Sequence, residues 1–348
     1  KNGLKTLLVD EKPILGGNTI YKDNEDTSIN NQTPSKWISD QINELEKLDN
    51  LEIKKRTSVA AYHGYNYLLA RENLTDHLPI HERKNKIRQR LLKIRAKKVI
   101  TSTGALERPL VFNNNDRPGI LLASALKRYS DLFGVACGKK NVLFTNNDSA
   151  YETALSFINK GIKIEAIIDI RENPNSKIVK KIEENQIKIF KGYTVVDTSG
   201  YKRINKVSIM QLSKDGQKVV GNKIEIPCDC LGMSGGWTPA VHLFTQSGGK
   251  LSFREEDQVF IPKIYTSKQI SLGSCNGDFS LDSIIKNIPG QLKQFFEILT
   301  SSYPKRPSNT GCPKCYQSFV SKGLPFALKQ GWLFDPHPAF ITWHLKDI

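Results

Sequence analysis

Short apolar runs separated by polar, turn-rich segments set the pattern of this chain. Asn141-Val142-Leu143-Phe144-Thr145 predicts a strand, and the Asn146-Asn147-Asp148 that follows predicts a turn. From Ser149 a helical apolar spacing runs to a glycine stop at Gly161, and residues 162–170 return as a second strand. This is a strand–turn–helix–strand unit of the length used to bind dinucleotides. Its turn is rich in asparagine where such a unit keeps glycine.

An earlier segment repeats the second half of that pattern. Thr6-Leu7-Leu8-Val9 reads as a buried strand ending in Asp10-Glu11, and Lys1-Asn2-Gly3-Leu4-Lys5 before it reads as a helix end with its glycine stop. Helix, glycine, strand and acid form the back half of a βαβ unit. The front half, with its glycine-rich phosphate loop, is not in the sequence, so the expectation is a chain truncated at its N-terminus. Further on, the pattern predicts a helix over Lys36–Leu48 and a strand in which Leu92, Ile94 and Ala96 alternate with Lys93, Arg95 and Lys97. Val99–Ala105 is a strand entering a tight turn at Thr103-Gly104. Asn113–Gly119 is a dense turn signal, followed by an amphipathic helix from Leu121 to about Phe133. The second unit covers roughly 139–230, and its return strand ends near Cys228–Trp237. Ile270–Gly277 is one more strand running into a glycine turn, with a helix over about Ser280–Lys286.

Composition adds bounds. With 348 residues, 39% hydrophobic and 25% charged, the chain suits about two globular domains. No apolar run approaches the ~20 residues of a membrane helix, and no signal-peptide pattern is present, so a cytoplasmic protein that does not engage the membrane is expected. The net charge of +16 raises nucleic acid as a partner. The lysines are scattered and no aromatic-rich single-strand module accompanies them, so nucleic-acid binding is not expected. Six cysteines need no disulfide framework in a chain of this size and read as reduced thiols. Cys312-Pro313-Lys314-Cys315 has metal or redox spacing, but no second such pair exists, and no metal site is assigned.

The candidate chemistry sits in the turns. An acid after the second strand of a Rossmann unit bonds ribose hydroxyls. Asp10 and Glu11 are adjacent, so only one can point into such a site, and spacing does not choose between them. A negative charge there opposes a 2′-phosphate and favours NAD over NADP. Gly16, Gly17, Thr103 and Gly104 mark places where backbone can approach a cofactor, with turn geometry as the competing role. Gly273 and Ser274 open the last turn, where FAD enzymes of this architecture usually carry an aspartate after the first glycine. Serine there fits NAD better than FAD, although a shift in alignment would bring in Asp278.

In the asparagine turn the three glycine positions fall on Thr145, Asn147 and Ala150. Only the packing position keeps a small residue, so the fold signal survives while the ligand signal is lost, and no dinucleotide is expected there. His63, His77, His81 and His242 read as structural, and no catalytic residue is assigned. No cysteine pair follows the first acid, which argues against disulfide reduction.

The order Asp10-Glu11…Gly16-Gly17, Thr103-Gly104, the unit at 141–170 and Gly273…Gly277 resembles the two-dinucleotide-binding-domain flavoproteins. That likeness implies an α/β fold of two Rossmann-like domains of the glutathione-reductase type, one inserted in the other. The first would comprise 1–135 and 231–300, lacking its first strand and glycine loop; the second, degenerate, would comprise 136–230; a linker and tail would occupy 301–348. More specifically, Gly104–Phe112, Asn114–Ile120, Phe144–Asp148 and His242–Lys250 resemble the α-subunit of heterotetrameric sarcosine oxidase, and Arg71-Glu72 and Lys93–Lys97 fit the same family. The resemblance covers about 1–300. It implies an NAD-binding module within a complex with β, γ and δ subunits, whose FMN and FAD lie in or beside the β-subunit. The complex would convert sarcosine to glycine and hydrogen peroxide and, with tetrahydrofolate, yield methylenetetrahydrofolate. The folate-binding C-terminal domain of that family is absent here, and this portion alone is expected to be inactive. A reductase using NAD(P) or FAD, an amine or opine oxidase subunit, and a scaffold with decayed nucleotide sites are the alternatives.

Overall fold

The computed structural model describes residues 4–21 and 28–297. Lys1-Asn2-Gly3, the expected linker from Ser301 and the Cys312/Cys315 pair lie outside them.

The inserted unit is built on a five-stranded parallel sheet, in the order Ile189–Lys191, Ile164–Asp169, Asn141–Thr145, Cys230–Ser234, Ile120–Leu122. Asn141–Thr145 and Cys230–Ser234 are buried at every position, because both faces of the sheet are covered. Leu143 and Ile167 pack with Leu126, Tyr151, Phe157 and Ile182 of the helices on one face. Val142, Phe144 and Ile168 pack on the other face against Val195, Val207 and Ile209. Those last residues belong to an antiparallel sheet of Tyr193–Gly200, Ile204–Leu212 and Val219–Pro227.

This sheet corrects the expected boundaries. Ile120–Leu122 pairs in register with Leu231–Met233, and helix Ala123–Phe133 begins only after it. Leu121 is therefore a strand residue, and the strand–helix pair that follows the turn at 113–119 belongs to the inserted unit rather than to the segment ending at 135. Likewise Cys230–Ser234 is the central return strand, so the unit's sheet extends past 230. A strand of three apolar residues running into a helix reads as the helix's own first turn.

The first unit is assembled from smaller pieces. Thr6–Val9 pairs in parallel with Leu51–Lys54, and Val99–Thr101 pairs in parallel with Gln269–Ser271. Strands Thr57–His63, Tyr67–Asn73 and Gln89–Arg95 form an antiparallel meander. Its inner residues Tyr62, Leu68, Ala70, Leu92 and Ile94 make a core against which both Leu7 and Val99 pack, so the two parallel pairs share one supporting layer. A ribbon of Ala105–Glu107 with Trp237–Pro239 carries the chain into and out of the inserted unit. Helix Leu281–Glu297 has 17 residues, longer than expected, and continues through Pro289.

Candidate dinucleotide site

In the first unit, the parallel pairing of Val99–Thr101 with Gln269–Ser271 sends two expected cofactor turns out at the same end. The Thr101 and Ser271 hydroxyls hydrogen-bond at 2.8 Å, and the Leu272 N–H donates to the Thr101 carbonyl at 2.9 Å. Thr103 and Gly104 thus stand beside Gly273 and Ser274. The Thr103 hydroxyl donates to the Ala240 carbonyl at 2.7 Å and the Ala240 N–H returns to the Gly104 carbonyl at 3.0 Å. Thr103 is therefore a stitch to the returning chain. Gly104 has φ of +74° with open space where a Cβ would project, so its backbone is approachable. The Asp278 carboxylate accepts the Ser280 N–H at 3.3 Å and the Ser283 hydroxyl at 2.7 Å.

The acid and the glycine pair lie at the carboxyl end of Thr6–Val9. Asp10 extends that ladder by donating its N–H to the Lys54 carbonyl at 3.0 Å, and its carboxylate accepts the Lys12 N–H at 2.8 Å. It is half-buried, whereas Glu11 is exposed. Gly16 has φ of +113°, and a Cβ on it would lie 2.6 Å from Ile20 and 2.8 Å from Ile38. It is a packing glycine. Gly17 has φ of +57° beside open space. The eight residues expected at the site thus form two groups of four, one on each parallel pair.

The turn of the inserted unit is filled by its own side chains. Register places Asp169, Thr145 and Ser234 side by side at the carboxyl ends of neighbouring strands, where an open α/β sheet binds its ligand. Asn147 Oδ1 accepts the Ser149 N–H at 2.9 Å, and Asn147 Nδ2 donates to the Ser234 carbonyl and hydroxyl at 3.1 Å each. The Trp237 indole N–H donates to the Ser149 hydroxyl at 3.1 Å. The Asn147 carboxamide thus engages the first helical amide, the kind of group that would face a pyrophosphate.

The acid of this second unit is spent as well. Asp169 is fully buried, accepts the Tyr151 hydroxyl at 2.8 Å and pairs with Arg171 at 2.8 Å. Arg171 also reaches Asp148 at 2.8 Å. Burial works against the charge of Arg171, but its bonds to Asp169 and Asp148 outweigh this and hold its pKa above the ordinary value. Burial, reinforced by the Asp169 charge, raises the Tyr151 phenol. These residues do not fit a dinucleotide.

Sequence reasoning missed the crossing ribbon. Glu107 is only 8% exposed, and its carboxylate accepts the Ser124 N–H at 2.9 Å and the Ser124 hydroxyl at 2.5 Å. Burial pushes its pKa up, against the pull of the Ser124 and Ser234 hydrogen bonds. The next residue, Arg108, turns the other way and donates to the Gln258 and Asp257 carbonyls at 3.1 and 3.4 Å. Its only sequence signal was the family-like stretch containing it. Cys228 and Cys230 are buried, and their thiols are pushed up to about 12 by that burial, so they are unreactive at neutral pH. Among the described residues no helix is long and apolar enough to cross a membrane.

No family model matches the chain. Among curated proteins, sarcosine oxidase subunit alpha of Corynebacterium sp. (strain P-1) is 32% identical over 287 residues, which is 82% of this chain and 29% of that protein. The same subunit of Rhizobium meliloti (strain 1021) is 30% identical over 267 residues, 74% of this chain and 24% of that one. Among solved structures, Lactococcus lactis thioredoxin reductase matches with a TM-score of 0.60 at 16% identity, covering 85% of this chain and 91% of that one. L-proline dehydrogenase from P. horikoshii matches with a TM-score of 0.56 at 21% identity, covering 89% and 56%. These two show the fold, an α/β architecture with two Rossmann-like domains. The chain spans less than a third of the length of the curated relatives it matches, and over that span it is a relative of the α-subunits of sarcosine oxidase.

Proposed function

We propose that this chain is the NAD-binding portion of an oxidoreductase subunit, with the first unit as the nucleotide site and the inserted unit as scaffold. The observation that carries the reading is the contrast between the units. In the inserted unit the turn is filled by Asn147 and the acid is locked by Arg171, while in the first unit Asp10 is half-buried and Gly104 is open. The first-unit residues fit the adenosine half of a dinucleotide. Asp10 would accept the ribose hydroxyls and repel a 2′-phosphate, Gly104 would let the backbone approach, and Gly273 and Ser274 would present the facing turn. Bound there, NAD would supply a hydride-accepting nicotinamide. This chain's own contribution is to hold and orient it.

At the level of the whole complex, the reading is oxidative demethylation of sarcosine to glycine with release of hydrogen peroxide, and formation of methylenetetrahydrofolate when tetrahydrofolate is present. The flavins, FMN and FAD, and the β, γ and δ subunits would come from that complex. Titration of the full-length subunit with NAD and NADP tests the binding claim. One NAD site per chain, with NADP much weaker, is expected; comparable affinity for both, or NAD density against residues 145–150, overturns it. Peroxide release from sarcosine by the co-expressed complex tests the substrate, and inactivity with all subunits and flavins present removes it.

A further inference from the structure

Among the described residues, the non-glycine positions with positive φ are asparagines and glutamines, except Arg56 at +52° and Tyr65 at +60°. Asparagine visits that region readily, whereas most side chains there crowd Cβ against the following carbonyl. Gln186 ends helix Lys177–Glu184, and Tyr65 and Gln258 lie in hairpin connections, settings that take positive φ. Arg56 has neither setting. It follows strand Leu51–Lys54, where the parallel pairing with Thr6–Val9 ends. The Asp10 N–H donates to the Lys54 carbonyl at 3.0 Å, but the Asp10 carbonyl accepts from Thr57 at 2.8 Å rather than from Arg56, so the ladder holds one extra residue. The Arg56 N–H turns instead to the Lys12 carbonyl at 3.2 Å, and its own carbonyl accepts the Asn73 N–H at 2.9 Å. These bonds fix a bulge, a device that re-aims a side chain, directly beside the proposed ribose acid.

The side chain stands apart as well. Lys54, Lys55 and Arg56 are consecutive cations. Lys54 pairs with Glu52 at 3.2 Å and with Glu72 at 3.3 Å, and Lys55 pairs with Glu46 at 3.4 Å. Arg56 is half-buried, yet its guanidinium pairs with no carboxylate among the described residues. That includes Asp10, whose carboxylate accepts the Lys12 N–H at 2.8 Å. A guanidinium without an acid keeps its flat face for a ligand, and it stacks on aromatic rings where an ammonium acts as a point charge. With ribose hydroxyls on Asp10, the base is one glycosidic bond away, and the neighbouring strand end that carries Arg56 is in reach. A 2′-phosphate would also draw an arginine, but it would meet the charge of Asp10. We propose that Arg56 stacks on the adenine of the bound dinucleotide, and that the bulge holds it in a left-handed conformation for that contact. The proposal deepens the reading of the first unit as the NAD site and rests on it.

The test compares the full-length subunit as wild type, Arg56→Gly and Arg56→Lys. Calorimetric titration with NAD, NADP and ADP-ribose, which carries adenine without nicotinamide, reads affinity. Urea denaturation without nucleotide reads stability. Glycine takes positive φ without a Cβ, so the urea midpoint of Arg56→Gly should hold or rise. Its affinity for NAD and for ADP-ribose should fall about tenfold, as loss of a desolvated stacking contact predicts. Arg56→Lys, which keeps the charge and loses the flat guanidinium, should recover only part of that affinity. Where Arg56→Gly fails to fold, Arg56→Asn, which also tolerates positive φ, carries the same readout. Unchanged NAD affinity in the folded variants removes Arg56 and leaves the first-unit reading intact. Full recovery by Arg56→Lys shows a charge contact and overturns stacking, and a loss confined to NADP shows a 2′-phosphate contact and does the same. A lower urea midpoint for Arg56→Gly and Arg56→Asn makes the residue structural and overturns the proposal. A wild-type subunit that binds neither NAD nor ADP-ribose removes the first-unit reading and the Arg56 contact together.

Discussion

Glu107 accepts both the amide and the hydroxyl of Ser124, at 2.9 and 2.5 Å, and so fastens the crossing ribbon to the first turn of helix Ala123–Phe133. Arg108, one residue on, fastens the same ribbon to the loop of the Lys250–Ile264 hairpin. Two adjacent side chains therefore hold the two units to a common strut. Carboxylates are favourable at a helix N-terminus, yet burial dominates at Glu107 and raises its pKa.

That direction fixes the pH dependence. The folded state holds the Glu107 proton more tightly than the unfolded chain, so the group's contribution is whole below its ordinary value of 4.5 and is lost as pH rises through its raised folded value. Glu107→Gln mimics the protonated form and escapes that loss. Urea denaturation of both proteins over this range should show the variant gaining on the wild type as pH rises. A difference that stays flat with pH contradicts the raised value. Glu107→Ala should cost about 1–2 kcal/mol at the acidic end, by leaving the Ser124 amide unpaired, and progressively less as pH rises.

Gly16 and Gly17 separate backbone strain from collision. Gly17→Ala meets only the φ of +57°, with no neighbour in reach, and should cost about 1 kcal/mol. Gly16→Ala adds contacts of 2.6 and 2.8 Å with Ile20 and Ile38 to an unfavourable φ, and should cost about 2–4 kcal/mol. Equal shifts in urea midpoint would mean that Ile20 and Ile38 yield freely.

The inserted unit was legible because its strands are apolar at consecutive positions and its helix is bracketed by polar turns. The glycine-free turn was legible too, since Thr145 and Asn147 stand where a nucleotide loop keeps glycine. The pairing of Val99–Thr101 with Gln269–Ser271 was not, because those partners lie 170 residues apart and no local pattern encodes the contact. Glu107 escaped for a similar reason. An acid between Leu106 and Arg108 reads as surface, and only the arrival of Ser124 makes its burial tolerable. Of Asp10 and Glu11, spacing could not say which one the strand ladder reaches; the Lys54 carbonyl extends it to Asp10.

Arg171 compensates the one fully buried carboxylate at the inserted turn. Arg171→Ala would leave Asp169 with only the Tyr151 hydroxyl and a backbone N–H. Breaking a buried pair costs about 3–5 kcal/mol, and the 34% exposure of the Arg171 side chain lets water screen part of that. A loss of about 2–3 kcal/mol is expected in urea denaturation, with no gain of NAD binding at this unit, because Asn147 still fills the turn. NAD protection of residues 145–150 in the variant, read by hydrogen exchange, would show instead that Arg171 alone closes the site.

Asp10 and Glu11 give the most direct test of where NAD sits. Asp10 lies half-buried at the strand end, and Glu11 lies exposed beyond it. In the full-length subunit, Asp10→Asn should weaken NAD about tenfold, the equivalent of ~1.4 kcal/mol for a lost charge-assisted contact to ribose. It should weaken NADP less, because the repulsion of a 2′-phosphate goes with the charge, so the preference for NAD narrows. Glu11→Gln should leave both affinities unchanged. Calorimetric titration of the three proteins with both nucleotides reads the outcome. If Glu11→Gln narrows the preference and Asp10→Asn does not, the ribose acid is the exposed residue. If neither does, NAD is not held at the end of Thr6–Val9, and the first unit loses its claim to the cofactor.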